Sequence, residues 1–149
     1  MYNMNVIFID TWGWITLGNN KEKRHKEVSQ FYKELIRKNI LIYTSDYILD
    51  ELITFLFKRI SFDEASDFIK AILKSGERGS VEIEKVTSKD FTYAWELRQT
   101  FKDKPHISFT DLTSMSVMKR LKINNILTDD AHFYKVGMGF NLLPGNPEC

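Results

Sequence analysis

Short runs of β-branched and aromatic residues, separated by helical stretches, restrict this chain to an α/β design. The first run is Val6-Ile7-Phe8-Ile9, and it stops on Asp10, followed by Thr11. Such a run reads as a strand buried on both faces. Trp12-Gly13-Trp14 then places two large aromatics around a glycine, and Gly18-Asn19-Asn20 reads as a turn. From Lys21–Arg24 a helical pattern sets in, with Val28, Phe31, Tyr32 and Leu35 on its apolar side, and it ends near Arg37-Lys38-Asn39. Basic residues in that last turn suit the negative helix end. Ile40-Leu41-Ile42-Tyr43-Thr44 is a second apolar strand. Strand, helix, strand at this spacing is a βαβ unit and implies a parallel pair.

The remaining chain keeps alternating. Ser45 or Asp46 can cap a helix running through Tyr47–Leu52 to about Lys58, and Ser61-Phe62-Asp63-Glu64 matches a capping box for another, ending near Lys74 before Gly76. Val81, Ile83 and Val86 alternate with Glu82 and Glu84, the pattern of a strand with one wetter face, suited to a sheet edge. Thr87–Asp90 opens a helix through Trp95 and Leu97. Asp103–His106 is a loop, and Ser108-Phe109-Thr110-Asp111 opens a helix through Leu121. Ile126-Leu127-Thr128 is a short strand ending on Asp129-Asp130, and Phe140–Leu143 is a candidate last strand. The expectation is an α/β sandwich with a mostly parallel sheet.

With 149 residues the chain suits one domain, residues 1–149, with one sizeable core. A formal charge of +1 argues against a strongly basic, nucleic-acid-coating surface, although a local stripe of Lys and Arg is enough to hold phosphates. Lys21, Lys23, Arg24, Lys102 and Lys104 are candidates for such a stripe, each also readable as a solvated charge. The one cysteine is Cys149, which excludes an internal disulfide and points to a reducing, cytoplasmic setting. Met1–Asn5 has no basic segment or cleavage site of a signal peptide. No apolar run approaches the roughly 20 residues of a membrane helix.

In open α/β sheets, ligands bind beyond the carboxyl ends of parallel strands, so Asp10 stands where chemistry is usually done. The competing reading is that Asp10 caps a turn with its side chain. Asp111 lies in the first turn of its helix and shares a face with Met115 and Met118, at about 100° per residue. Thr113, Ser114 and Ser116 would let that helix approach its neighbours closely. On the helix after Ser45, Glu51 flanks the stripe Ile48, Leu52, Phe55, whereas Asp50 lies nearer Leu49, Ile53, Leu56. Periodicity does not choose between the two acids, and Asp46 reads as a cap or a solvated residue. Asp129 and Asp130 fall beside Asp10 if the sheet is wound in the usual way, with Phe133 available to pin the turn. Carboxylates that converge raise one another's pKa unless a cation sits among them. With no His or Cys among them, they suit Mg²⁺ or Mn²⁺, which can activate water against a phosphodiester. His25 and His132 read as surface residues, and His106 lies in a polar loop.

These motifs, in this order, resemble a PIN-domain ribonuclease of the VapC toxin type. The resemblance runs from Val6–Thr11 through Tyr47–Leu52 and Ser108–Asp111 to Leu127–Phe133, Val136-Gly137 and Phe140–Pro144. It implies a three-layer α/β/α fold, a divalent metal and endonucleolytic cleavage of RNA. Carried over by position, Asp10, Glu51 and Asp111 form the main catalytic metal cage. Asp130 joins them in the family's Thr-x-Asp-x-x-Phe pattern, with Thr128 and Phe133 in its other slots and Asp129 in the variable one. Thr11 and Ser108 would be hydroxyls that orient carboxylates. The resemblance also implies a cognate antitoxin, placed here over the acidic cleft and an apolar surface near Leu49, Ile53 and Phe57, and a homodimer. Trp12-Gly13-Trp14 departs from the small residues expected after the first acid, and Trp12 and Trp14 suit either base stacking or packing. Two other readings compete: a housekeeping RNA-processing PIN nuclease, and a phosphotransfer or regulatory α/β domain with an acidic pocket. A haloacid-dehalogenase-like phosphatase would want a second acid at position 12, where Trp12 stands.

Overall fold

The computed structural model describes residues 4–145, and Cys149 lies outside them. Five strands form one sheet: β1 (Val6–Ile9), β2 (Leu41–Ser45), β3 (Val81–Glu84), β4 (Asn125–Leu127) and β5 (Asn141–Leu143). Their order is β3-β2-β1-β4-β5, and every pairing is parallel. The expected parallel sheet is therefore fully parallel, with the half-wet strand Val81–Glu84 at one edge as its alternation requires. Parallel neighbours cannot be joined by tight turns, so helices cross between them. These are α1 (Thr11–Gly18), α2 (His25–Arg37), α3 (Asp46–Arg59), α4 (Phe62–Arg78), α5 (Ser88–Thr100), α6 (Phe109–Leu121) and the short α7 (His132–Lys135). The arrangement is the α/β/α architecture expected.

The chain winds outward from β1 through β2 to β3, then returns to add β4 and β5 on the other side of β1. The winding direction reverses between β1 and β4, which opens a crevice at their carboxyl ends. Asp10 follows β1, and Thr128, Asp129 and Asp130 follow β4. The backbone N–H of Asp10 donates to Leu127 O at 3.2 Å, which holds the two strand ends side by side.

Three stretches differ from the sequence expectation; the first is Lys21–Arg24, which is a turn, so that α2 sets in only at His25. Residues Thr11–Gly18 form a helix that periodicity does not reveal, because both of its sides face protein. Trp14 is 2% exposed. Its Nε1 donates to Thr44 Oγ1 at 3.0 Å, and the Thr44 hydroxyl donates to Ile9 O at 3.1 Å. The indole N–H and the Thr44 hydroxyl thus both find partners, worth about 1 kcal/mol net per bond. Trp14 is core, which removes it as a surface for stacking bases. The helix expected to stop before Gly76 continues to Arg78 and ends at Gly79, whose φ of 78° supplies the left-handed cap.

The caps of the other helices follow the sequence signals. Ser45 Oγ accepts from Ile48 N, Ser61 Oγ from Glu64 N, and Ser108 Oγ from Asp111 N. Thr87 and Asp90 complete a capping box at α5. Asp90, 2% exposed, also accepts from Arg120 of α6 at 2.9 and 3.0 Å, and Arg120 reaches Glu84 at the end of β3 at 3.3 Å. Burial alone would push the Asp90 carboxyl up. The Arg120 and Thr87 hydrogen bonds outweigh it and hold the group below its usual range. Helix α6 is buried from Asp111 to Met118, and the small residues Thr113, Ser114 and Ser116 allow that enclosure. Leu49 is also core, so the surplus apolar face of α3 excludes it and consists of Ile53 and Phe57, continued by Phe62, which is 72% exposed, while Phe55 is exposed on another side of the helix. Phe57 and Phe62 lie 5.1 Å apart between ring centroids.

Gly13 is where α1 crosses the strand ends. A Cβ there would stand 2.9 Å from Ile9 Cγ2 and 3.1 Å from Leu127 O. Gly13→Ala gains about 1 kcal/mol of helix propensity but forces apart the two strands that carry the acidic residues, an overpacking cost of roughly 1–3 kcal/mol. The expected result is a lowered thermal midpoint in calorimetry; a midpoint equal to or above that of the parent chain would show that the contact is slack.

Candidate acidic site at the carboxyl end of the sheet

The site begins with a strand that has nowhere to put its final charge. Asp10 occupies the N-cap position of α1, yet its side chain makes no capping bond. Turn capping is therefore not what the carboxylate does. It is 4% exposed; Oδ2 accepts from the Thr128 hydroxyl at 2.8 Å, and Oδ1 is buried with no hydrogen-bond partner. The Thr128 hydroxyl in turn accepts from the backbone N–H of Asp130 at 3.1 Å. One side chain at the end of β4 thus ties Asp10 to the loop that carries Asp130.

Burial pushes the Asp10 carboxyl up to about 7. The Thr128 hydroxyl and the Thr11 backbone oppose the shift, while the charges of Asp130 and Glu51 add to it. Asp111, 9% exposed in the first turn of α6, is pushed up to about 9. Burial is the first cause, followed by the charges of Asp10 and Asp130, a hydrogen-bonding contact with Asp130 and the charge of Glu51. The four acids therefore feel one another from four separate elements, as convergence at the crevice requires. Glu51 is half-buried on α3, whereas Asp50 is exposed; this separates the two acids that periodicity left undecided. Asp46 serves as a local tie, its Oδ1 accepting from Tyr47 N and from Val86 N. Asp129 is exposed. Partial desolvation and Asp130 raise it, and the Arg24 charge pulls it back.

Three expectations about neighbouring groups change. The Thr11 hydroxyl is buried without a partner, and Ser108 caps a backbone amide; the hydroxyl that orients a carboxylate is that of Thr128. His132, expected at the surface, is half-buried with Nδ1 3.0 Å from Asp130 Oδ1, and its backbone N–H donates to the same oxygen at 2.9 Å. The Asp130-Ala131-His132 spacing, an acid two residues before the amide it accepts, carried that signal. His25 is likewise half-buried, with Nδ1 2.7 Å from Thr16 O. Phe133 pins the turn as expected, with 0% exposure.

Beside the acids stands one organised cation. The Arg24 guanidinium lies over the half-buried Trp12 ring, 5.5 Å from its centroid. Its Nε and Nη2 donate to Glu27 at 2.7 and 2.9 Å, and Nη2 also donates to Gly145 O at 2.6 Å. Among the described residues no ready-made group of three or more His, Cys, Asp or Glu ligands is closed around a common point. The donors that converge are carboxylate oxygens, one of them buried and without a partner, which is the donor chemistry of a hard cation.

The raised pKa values fix the sign of a pH effect. Both carboxyls ionise near 3.8 when unfolded, while the folded protein holds these protons up to about 7 on Asp10 and about 9 on Asp111. Within that window the folded state binds more protons, so without metal these two groups lower stability as pH rises. Asp111→Asn in chelator is expected to raise the thermal midpoint at pH 8 by about 3 °C or more, the shift that ~1 kcal/mol produces at this size. At pH 4.5 the gain should nearly vanish. An equal shift at both pH values, or none at pH 8, would show that Asp111 ionises freely in the folded protein.

Comparison with known proteins gives this arrangement a context. The model of the PIN domain family matches residues 7–138. A relative from Mycobacterium tuberculosis, the 23S rRNA-specific endonuclease VapC20, is 30% identical over 132 residues, covering 89% of this chain and 95% of the relative. The crystal structure of M. tuberculosis VapC20, described as a sarcin–ricin-loop-cleaving toxin, superposes with a TM-score of 0.76 at 31% identity, over 88% of this chain and 95% of that one. VapBC2 from Rickettsia felis, bound to a promoter DNA fragment, shares the fold with a TM-score of 0.68 at 20% identity, over 92% and 96% of the two chains. DNA-bound VapBC from Salmonella typhimurium does so at 0.67 and 14%, over 93% and 97%. A five-stranded parallel sheet with acids at its switch point, a family match over nearly the whole chain and a well-covered relative agree: the chain belongs to the PIN-domain family and is of the VapC type.

Proposed function

We propose that this protein is a metal-dependent endoribonuclease that hydrolyses RNA phosphodiester bonds as the toxin of a toxin–antitoxin pair. The observation that carries the reading is the mutual electrostatic influence of Asp10, Glu51, Asp111 and Asp130 at one crevice of a PIN-domain chain. The donor set fits Mg²⁺ or Mn²⁺: all four groups are carboxylates, and the buried Oδ1 of Asp10 has no other partner. Asp10, Glu51, Asp111 and Asp130 would hold the ion. Once bound, it supplies charge stabilisation at phosphoryl oxygens and a more acidic water.

The chain's own residues prepare that site. Thr128 fixes the direction of the Asp10 carboxylate and the position of the Asp130 loop, so ligand geometry is set before substrate arrives. His132 does the same for Asp130 from the other side. Repulsion from the neighbouring acids helps to raise Asp10 and Asp111, and it is relieved by positive charge in the crevice.

RNA as substrate is supported by the VapC20 relative, an endonuclease specific for 23S rRNA. The antitoxin is assigned to the exposed apolar face Ile53, Phe57 and Phe62 together with the acidic cleft, where a basic side chain would compete with metal. The active form is assigned as a homodimer, the commonest closed assembly.

In Mg²⁺ or Mn²⁺ the purified protein is expected to cut a sarcin–ricin-loop oligonucleotide. Asp10→Asn, Glu51→Gln, Asp111→Asn and Asp130→Asn should each slow cleavage by on the order of 10²-fold or more, and chelator should abolish it. Cleavage that persists equally in the variants or in chelator would refute the metal-nuclease reading. Growth arrest on expression in a bacterial host, relieved by the Asp111→Asn variant, is the expected sign of a toxin; no arrest by the active parent would favour a housekeeping nuclease.

A further inference from the structure

The acidic crevice that suits a cation is a poor landing place for a polyanion. Four carboxylates lie where a phosphodiester must come, and RNA would meet their combined repulsion before any metal contact forms. Positive charge close to the site, fixed in direction, would offset that repulsion, and the chain carries such a group. Arg24 stands at the start of α2 with its guanidinium over Trp12, two residues past Asp10. Its charge reaches Asp129, the neighbour of Asp130. Its ring partner follows the end of β1 and the acid its charge acts on follows the end of β4, which places Arg24 at the rim of the crevice.

The guanidinium is pinned rather than mobile. Nε and Nη2 are used by Glu27 and by the carbonyl of Gly145, and one face is backed by the indole. Nη1 is left over. It makes no hydrogen bond among the described residues, and the side chain as a whole is 19% exposed. Trp12 itself packs partly into the core, so its role is that of a mount. A planar cation held on three of its sides, with one N–H₂ edge unpaired among the described residues, is preorganised for an oxyanion.

We propose that Arg24, mounted on Trp12 and pinned by Glu27, is a positioning residue for RNA, its Nη1 edge donating to a backbone phosphate adjacent to the one cleaved. The inference rests on the nuclease reading above and gives that reading a substrate contact outside the carboxylates. It also accounts for the bulky Trp12 beside the first acid: the indole supplies the flat support that a small residue could not.

The test measures binding of a fluorescein-labelled sarcin–ricin-loop oligonucleotide by anisotropy, in the Asp111→Asn background so that the RNA stays intact, over a range of salt concentrations. Arg24→Gln is expected to weaken binding roughly tenfold, the worth of one charge-assisted hydrogen bond. It should also reduce the slope of log K against log salt by about 0.7, the value for one phosphate contact on a single strand. Glu27→Gln loosens the pin but leaves the cation, so it should weaken binding less than Arg24→Gln does and keep the salt slope of the background. In the otherwise native chain, Arg24→Gln should raise KM for cleavage with kcat little changed. Equal weakening by Glu27→Gln and Arg24→Gln would show that only local packing was lost, and an unchanged salt slope would exclude a phosphate contact; either overturns the proposal. If the native chain neither binds nor cuts RNA, the nuclease reading itself fails, a result distinct from native cleavage that is indifferent to Arg24.

Discussion

The hydroxyl of Thr128 gives a hydrogen bond to Asp10 and takes one from the backbone of Asp130, and the acidic centre is arranged around that link. Without it the ends of β1 and β4 would meet as two buried acids with nothing between them to fix their orientation. Burying a carboxylate is costly unless it is paired, and Asp10 is only half paired: one oxygen satisfied, the other bare. The core sheet tolerates this because its strands are apolar and tightly held, so the cost falls on one place. The stability given up there is what makes the crevice receptive to positive charge.

Each acid arrives by a different structural route. Asp10 is delivered by the end of a central strand, Glu51 by the second turn of a helix capped by Ser45, Asp111 by the first turn of an enclosed helix, and Asp130 by a turn closed with His132. The winding reversal between β1 and β4 brings two of these routes together. Small residues on α6 let a third approach without displacing the sheet. Local folding rules thus accumulate into one electrostatic feature that no single element produces.

Much of this was legible in the chain. Strands announced themselves as apolar runs, helix starts as Ser or Thr caps, and Asp10 and Asp111 as acids at places where a parallel fold does its chemistry. Periodicity did not decide between Asp50 and Glu51, because α3 carries apolar residues on two stripes and both acids flank one; the resemblance alone pointed to Glu51. Helix α1 escaped because Trp12–Gly18 shows no polar face, and because Gly13 argues against a helix until the close passage over Ile9 and Leu127 is seen. Trp14 stayed open between stacking and packing, since its polar partner, Thr44, is distant in sequence. His132 and Thr128 depend on a contact distance, which spacing only hints at.

Helix α6 is fastened at both ends by different means. At its start Ser108 caps the amide of Asp111; near its finish Arg120 is clamped by Asp90 and Glu84. Between them lie nine residue steps, about 13 Å of helix at 1.5 Å per residue, enclosed on all sides. The ion pair at its far end ties α6 to α5 and to the β3 edge of the sheet, so the helix that presents Asp111 is anchored by residues that touch none of the site's carboxylates.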